Sequence, residues 1–537
     1  MNRRITFLLL FLLLGLNAIA QIPENAWVKS NQKYLKITVS EDGIYQVTGQ
    51  ELTNAGFSLA TVIPQKIQLF YRGKEVAIKL ETGSKNSFEL NDSFLFYGQK
   101  NDGSSDSLLY RDAPRANPFH SLYSDESAYF LTIGEEDGKR VIAGKPVNSA
   151  NLTEEPYHLA EERTVYTDQF SYNNIIGLVP LLQQSYFESG EGRTGKFIVS
   201  DSSASFNIKL TNRIESSDFQ PIINFQINGR SRIIHQLATS VNGQDSAFFS
   251  VLPFGTAKRT QILSNNLIQN ENVRLSLSST QKVLLDWYSL TYIEAIYPQQ
   301  FLMNGQTFKY FKLRQNRPEN SSVFIRDFLD SGLLWNVSNT GNPVELTANS
   351  EKKFSVASSL NNAKLIAVQS PKKAVKIAAV DFINLSNSKA DYLIITHESL
   401  LQSATQYAAY RASDKGGSHS PLVVTSQQLF DAFNFGERSP IALRQFSRFM
   451  LQNAQPKHLL LIGRGVSFPD ELRSTNFPDL VPTIGYPASD VLITAGLNGS
   501  KQNVQAIPTG RLNVVKNNEV LNYLEKVKET ESRTNPE

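Results

Sequence analysis

The stretch from residue 390 to residue 490 concentrates side chains whose types and spacing could do chemistry. His397 and Glu398 begin the His-Glu-x-x-His pattern of zinc peptidases, but the second histidine position is Leu401. The sequence therefore predicts no zinc site there. His397 alone is a candidate catalytic residue, because it follows the C-terminal end of a predicted strand, where open α/β sheets place their sites. The alternative is a hydrogen-bonded histidine at the end of a strand.

Ser467 is a second candidate, within Gly-Val-Ser-Phe-Pro at 465–469. A serine hydrolase holds its nucleophile on a tight turn that needs glycine two residues later and a helix beyond it. Pro469 occupies that position, so the segment is more typical of a loop. The Ser467 hydrolase stays open as a minor alternative.

Gly463 and Gly465 begin a dinucleotide-binding pattern whose third glycine position is Phe468. No predicted helix start follows to offer backbone amides to a phosphate. The two glycines therefore indicate a tight turn, and no cofactor is expected.

Four carboxylates fall in predicted loops at one end of this region: Asp470, Glu471, Asp479 and Asp490. Carboxylate oxygens are the ligands that calcium prefers, so a calcium site is possible, without an assigned set of ligands. The competing interpretation is that these side chains are simply solvated.

The elements that would position these residues form an α/β pattern over 386–537. Continuous apolar strands are predicted at 392–396, 422–425 and 458–462, separated by helical spacing. One helix is predicted to open at Ser439-Pro440, and a last one to cover 518–531. Strands that are apolar on both faces and alternate with helices predict a parallel sheet covered on both sides. So few strands suggest part of a larger domain.

The preceding regions predict β structure. Residues 21–135 form a small β domain with strands near 35–39, 44–47, 67–71 and 94–97, followed by an irregular loop at 100–124. Residues 136–385 alternate apolar and polar positions, and Val283 to Ile296 is a long strand candidate. The Asn-Gly pairs at 228, 242 and 304 are tight-turn signals. Together they predict a sandwich or jelly roll.

The first twenty residues predict an export signal, since Arg3 and Arg4 precede an apolar run that ends in Ala18-Ile19-Ala20. No later segment is apolar enough to cross a membrane. The formal net charge is only +3, which argues against a nucleic-acid partner. The sequence contains no cysteine, so it supplies neither a disulfide nor a thiol nucleophile.

Four segments in order resemble the gingipain-like cysteine peptidases, whose catalytic domain has a caspase-like α/β fold. They are DYLIITH at 391–397, QLFDAFNFG at 428–436 with SPIALRQF at 439–446, HLLLIG at 458–463, and IPTGRL at 507–512. Upstream, GIYQV at 43–47, FYG at 96–98, YFLT at 129–132 and LDWY at 285–288 resemble the PorU-type sortases of the Bacteroidetes type IX secretion system.

The resemblance implies an exported peptidase or sortase that meets cargo proteins and secretion-system components in the periplasm, at the outer-membrane surface or outside the cell. It places the catalytic His and Cys beyond Glu537, so no catalytic residue is assigned here. Calcium is known in the family. Arg464 stands where the family usually has Asp. The alternative is a non-catalytic exported β-rich binding or scaffold protein with a degenerate α/β domain.

Overall fold

The computed structural model describes residues 27–29, 32–111, 113–144, 152–173, 185–200, 202–281, 283–315, 320–357, 363–385 and 387–533. The export signal expected at residues 1–20 lies outside these ranges and stays a prediction. Within them, no helix combines the length and the apolar character that crossing a membrane requires.

Strands dominate the chain up to residue 380. The first eight are β1 (Tyr34–Val39), β2 (Gly43–Thr48), β3 (Ile67–Tyr71), β4 (Lys74–Val76), β5 (Ile78–Glu81), β6 (Ser93–Gly98), β7 (Ser127–Ile133) and β8 (Ile142–Ala143). The next twelve are β9 (Thr153–Glu154), β10 (His158–Val165), β11 (Gln169–Ser171), β12 (Gly192–Thr194), β13 (Ile198–Val199), β14 (Ser203–Lys209), β15 (Ile222–Gly229), β16 (His235–Val241), β17 (Gln244–Val251), β18 (Thr256–Ile262), β19 (Asn272–Ser279) and β20 (Trp287–Gln299). Eight more complete this part: β21 (Phe308–Lys312), β22 (Asn320–Val323), β23 (Leu333–Asn336), β24 (Val344–Leu346), β25 (Phe354–Ala357), β26 (Lys364–Val368), β27 (Lys372–Lys373) and β28 (Lys376–Val380).

Helices appear mainly after residue 390, between four further strands. These strands are β29 (Tyr392–Thr396), β30 (Pro421–Thr425), β31 (His458–Ile462) and β32 (Thr509–Leu512). The α-helices are α1 (Gly49–Asn54), α2 (Leu401–Ala412), α3 (Ser426–Phe433), α4 (Ile441–Asn453), α5 (Val491–Thr494) and α6 (Asn517–Glu531). Short 3₁₀ helices cover Pro64–Lys66, Ser104–Leu109, Asn265–Leu267, Glu398–Leu400, Asp414–Gly416 and Pro469–Glu471.

The first unit is a sandwich of two sheets with strand orders β28-β1-β7-β3-β4 and β27-β2-β6-β5. The Asp42-Gly43 turn leads the chain from one sheet to the other, because β1 and β2 do not pair. Strands β27 and β28 return from residues 372–380 to complete both sheets. The predicted boundaries of the first two domains stay a prediction. The first sandwich nevertheless includes β27 and β28, two strands from the region assigned to the second domain.

The second region is built on one long sheet with the order β18-β15-β20-β10-β21-β26-β23-β24-β8, to which β13 adds alongside β20. Two smaller sheets pack against it: β14-β19-β16-β17 over one half, and β25-β22-β9 over the other. The region therefore holds two apolar cores that share a continuous sheet.

Two details of the predicted β region are wrong. Asn228 does not form a turn with Gly229; it lies buried within β15 and donates from Nδ2 to Ser171 Oγ at 3.0 Å. The strand predicted from Val283 begins only at Trp287, and 283–286 form a turn whose first three residues are exposed. The Asn242 and Asn304 turns are confirmed, since both residues have φ near +50°.

The C-terminal unit is a parallel four-stranded sheet with the order β30-β29-β31-β32. All five residues of β29 are buried, and successive side chains point to opposite faces. Leu393 and Ile395 pack with α3 and α4, whereas Tyr392 and Ile394 pack with α2 and α6. Each such aliphatic side chain contributes about 1.5–3 kcal/mol on burial. The predicted combination of β domains with a following α/β domain is confirmed.

Candidate functional site

The candidate site is the edge where the four parallel strands end, hereafter the carboxyl edge. Because the strands are parallel, the residues after them share this edge: His397, Ser426, Gly463 and Asn513. Open α/β sheets place ligands and reacting groups at such an edge. The structure therefore brings together the loops that the sequence singled out.

His397 lies at this edge as the N-terminal cap of the 3₁₀ helix Glu398–Leu400. Its Nδ1 accepts from Ser399 N at 3.2 Å and lies 2.9 Å from Ser399 Oγ. Since Nδ1 accepts a backbone N–H, the ring proton belongs on Nε2, which is 3.3 Å from Glu398 Oε2. These contacts show that His397 caps the 3₁₀ helix, which agrees with a hydrogen-bonded histidine at the end of a strand.

The loop after β31 is held in place by one arginine. Arg511, on the neighbouring strand β32, donates from Nη1 to the carbonyls of Gly463 and Val481, both at 2.8 Å. Its Nε and Nη2 pair with both oxygens of Asp490 at 2.7 and 2.6 Å. A side chain at Gly463 would bring its Cβ to 2.8 Å from Val481, so the close passage of the two loops requires glycine.

Arg464 stands where the resembling family usually has aspartate, and it is hydrogen-bonded to backbone groups of two neighbouring loops. Its N donates to Val514 O at 2.9 Å and its Nε donates to Pro478 O at 3.2 Å. Its carbonyl accepts from Leu480 N at 2.9 Å and Val481 N at 3.1 Å. Arg464 therefore ties the loop after β31 to the loop that carries Asp479.

Asp479 is buried beneath this loop. It accepts from Val466 N at 3.0 Å and from Arg438 Nη2 at 3.1 Å. Burial raises the pKa of Asp479 above its usual range, against the charge of Arg438. The pair fixes the start of α4 relative to the carboxyl edge, a role that sequence spacing did not indicate.

Asp470 points away from the α/β unit towards the β region. It accepts from Phe170 N at 3.0 Å, Tyr172 Oη at 2.7 Å and Arg193 Nη1 at 3.0 Å. Asp470 thus docks the loop after β31 onto the strands β11 and β12.

The carboxylates proposed for calcium are thus largely engaged elsewhere: Asp470, Asp479 and Asp490 accept from N–H, guanidinium or hydroxyl groups. Among the described residues, no group of three or more His, Asp or Glu side chains could hold a metal ion. Calcium stays a prediction without ligands.

Ser467 is exposed and is followed by the 3₁₀ helix Pro469–Glu471 instead of the long helix of a nucleophile elbow. Phe468 is also exposed, at the position of the third glycine in a dinucleotide pattern. The loop geometry predicted for this segment is present.

Three further ion pairs join the α/β unit to the first sandwich. Arg72 forms a two-pronged pair with Glu437, with Nε–Oε1 at 2.8 Å and Nη2–Oε2 at 3.1 Å. Lys36 Nζ lies 2.7 Å from Asp431, and Arg473 Nη1 lies 2.8 Å from Asp125 Oδ2. Sequence reasoning missed these contacts, because the partners lie hundreds of residues apart and no local pattern links them.

Residues 385–537 match the model of peptidase family C25. The crystal structure of dimeric latent PorU from Porphyromonas gingivalis matches with a TM-score of 0.62 and 17% identity, over 93% of this chain. Another similar structure, the crystal structure of the ANX1 ectodomain from Arabidopsis thaliana, has a TM-score of only 0.17 at 9% identity, over 51% of this chain and 80% of that one. Among curated proteins, none matches the chain.

These matches confirm the resemblance read from the four C-terminal segments and the upstream β region. The fold of most of the chain is that of the PorU structure, and the α/β unit coincides with the peptidase family C25 segment. The chain spans about half the length of that solved structure, 49% of it.

Proposed function

We propose that this chain is the N-terminal portion of an exported cysteine peptidase or sortase that processes cargo of a type IX secretion system. The observation that carries the proposal is the coincidence of the C25 segment with the parallel sheet whose carboxyl edge is described above. The likeness of the β region to PorU supports the same assignment for the modules that precede it.

The chemistry proposed for the whole protein is attack of a cysteine thiolate, formed when a histidine takes the thiol proton, on a peptide carbonyl carbon. The C–N bond then breaks, the histidine returns the proton to the departing amine, and the acyl group stays on sulfur as a thioester. Water would resolve the thioester in a peptidase, and an amine in a sortase. This sequence contains no cysteine. The proposal therefore places both the histidine and the cysteine in sequence that follows Glu537, as the half-length match to PorU supports.

Within this proposal, residues of this chain hold the loops of the carboxyl edge in place. Arg511 and Arg464 hold the loop after β31, and Asp470 fixes it to the β region. Strand β32 pairs with β31 along one side, and the described residues place no strand on its other side. That free side is where additional parallel strands of a C25 domain would continue the sheet.

A second candidate is a non-catalytic scaffold. The network that favours it is the set of ion pairs between the α/β unit and the sandwich, which makes the unit a fixed part of a β-rich body. In this case the β modules would bind a secretion partner or cargo, and the α/β unit would only support them.

An active-site-directed thiol probe separates the two candidates. We expect a fluorescent peptidyl acyloxymethyl ketone to label the product of the complete gene and to leave a purified chain ending at Glu537 unlabelled. A cargo protein with its C-terminal sorting domain then tests the reaction: release with water indicates a peptidase, and release that requires an added amine indicates a sortase. If the product of the complete gene is not labelled and leaves cargo intact, the enzyme proposal is contradicted and the scaffold is the remaining candidate.

A further inference from the structure

One end of the second β region carries a concentration of exposed apolar side chains, hereafter the apolar tip. Leu284 is 82% exposed, the most of any large apolar side chain among the described residues, and Leu285 is 56% exposed. The other members are exposed as well: Phe197, Val199, Ile234, Leu252, Val283 and Trp287. Exposed apolar residues scattered singly are ordinary, but a contiguous group marks an interaction surface.

Pairing and hydrogen bonds bring the loops of the apolar tip together. Val199 lies opposite Trp287 across the β13–β20 pair, and the rings of Phe197 and Trp287 are 5.9 Å apart. Gln281 Nε2 donates to Ile234 O at 2.7 Å. The following residue, His235, pairs with Val251 on β17, which places Leu252 beside Ile234.

The turn that carries the leucines is rigidly mounted. Asp286 N donates to Val283 O at 3.0 Å, which closes the turn. Asp286 is fully buried below it and is hydrogen-bonded to His235 Nδ1 and Ser279 Oγ. Trp287 then starts β20, a central strand of the long sheet. The leucines are thus held outward at little further entropic cost on binding.

The charges around the apolar tip are mainly positive. Lys196, next to Phe197, is exposed, and Arg230 and Arg232, in the turn before Ile234, are partly exposed. Arg230 lies 5.7 Å from the Phe197 ring and donates its backbone N–H to Trp287 O at 2.8 Å. Arg230 also donates from Nη2 to Phe170 O at 2.9 Å and faces the carboxylate of Asp470. Asp168, one residue before β11, is an exposed carboxylate near this end. Among the described residues, Lys196 and Arg232 are therefore the cations of the apolar tip that complement an anionic surface.

We propose that the apolar tip inserts into the interfacial region of an anionic lipid bilayer. Protruding leucines on a tight turn can enter the acyl boundary without a complementary pocket, which a protein partner would have to supply. Tryptophan at the base suits the level of the headgroups, where its ring is apolar and its N–H is hydrated. The flanking cations would add attraction to acidic headgroups.

The first test measures co-sedimentation of the full chain without its signal with phosphatidylcholine vesicles, with and without phosphatidylglycerol. We expect binding that is stronger on the anionic vesicles. Leu284→Gln and Leu285→Gln should each weaken it about tenfold, the loss for one leucine side chain kept out of an apolar phase. Ile262→Gln is the matched control. Ile262 is also 56% exposed, but it is in register with Ile222 and Ile296, at the opposite end of β20 from Trp287. This variant should bind like the parent.

The second test uses Trp287 as a depth reporter. The chain has two other tryptophans in its described part: Trp335, which is fully buried, and Trp27, which lies in an aromatic cluster of the first sandwich. Vesicles of brominated phosphatidylcholine with phosphatidylglycerol should quench the fluorescence of the parent. The same vesicles should leave Trp287→Phe unquenched.

Binding that survives both leucine substitutions, or parent fluorescence without quenching, would overturn the proposal. Absence of vesicle binding would overturn it as well. In that case sedimentation velocity decides the alternative: a self-association lost in Leu284→Gln would assign the apolar tip to a contact between copies of the chain.

Discussion

A buried carboxyl at the junction between the first sandwich and the α/β unit should make stability depend on pH. Asp106 is 1% exposed; its Oδ2 accepts from Leu122 N at 2.8 Å, and its Oδ1 is buried without a hydrogen-bond partner among the described residues. Burial raises the pKa of Asp106 from 3.8 to about 6, although the hydrogen bond from Leu122 N and, more weakly, the charges of Arg115 and Arg473 oppose the rise. The folded state therefore keeps a proton that the unfolded chain releases.

The direction and size of the effect follow from that difference. Between about pH 4 and about pH 6, the folded state binds more protons than the unfolded state, so the free energy of unfolding falls as pH rises. A difference of about two pKa units corresponds to about 3 kcal/mol. Asp106→Asn keeps the shape of the side chain and removes the titration. Between about pH 4 and about pH 6, the free energy of unfolding of this variant should therefore fall by about 2–3 kcal/mol less than that of the parent.

Urea unfolding at a series of pH values, followed by tryptophan fluorescence and circular dichroism, measures this difference. Asp102→Asn is a control of opposite sign: burial pushes the pKa of Asp102 up, but hydrogen bonds from Ser104 and the charge of Arg72 outweigh burial and leave it lowered. Asp102→Asn should therefore lose stability above pH 4. If Asp106→Asn showed the same fall from pH 4 to pH 6 as the parent, the assignment of a buried proton to Asp106 would be refuted.

Three further substitutions test the packing and docking of the α/β unit. Glu437→Gln should lower the free energy of unfolding by about 2–3 kcal/mol in urea melts. Glu437 is 2% exposed, and its loss removes the buried partner of Arg72 and leaves the more exposed Asp102. An equal loss in an Arg72→Gln background would contradict a contribution from this ion pair. Asp470→Asn should lower the free energy of unfolding by about 1 kcal/mol or less, since Asp470 is 44% exposed. Limited proteolysis should nevertheless cleave the loop after β31 faster in this variant. An unchanged cleavage rate would argue against a docking role of Asp470. Phe446→Ala should lower the free energy of unfolding by about 3–5 kcal/mol, because the ring is fully buried against the sheet. Differential scanning calorimetry measures the effect, and an unchanged melting temperature would contradict the burial of this ring.

Local sequence pattern was enough to predict most helices and strands of the α/β unit. Strands β29 and β31 were predicted to the residue, because a short run of apolar residues flanked by polar ones can bury both faces only as a central strand. The start of α4 was predicted to within one residue, since Ser439 Oγ accepts from Ile441 N at 3.3 Å as a cap should. The order of the motifs also indicated the peptidase family, because each motif is a local pattern.

Contacts between segments that are distant in the sequence depend on the three-dimensional packing of the chain. The return of β28 to pair with β1, and the pairs Arg72–Glu437 and Arg193–Asp470, join residues far apart in the chain. Asn228 illustrates the same limit: its pairing with Gly229 is typical of a turn, but the pairing of β15 with β18 and β20 keeps it extended. Local propensity is worth about 1 kcal/mol at such a position, whereas the ladder on both sides and the burial of the strand are worth several times that. Contacts of this kind are fixed by which surfaces can be buried together, and a one-dimensional pattern does not contain that information.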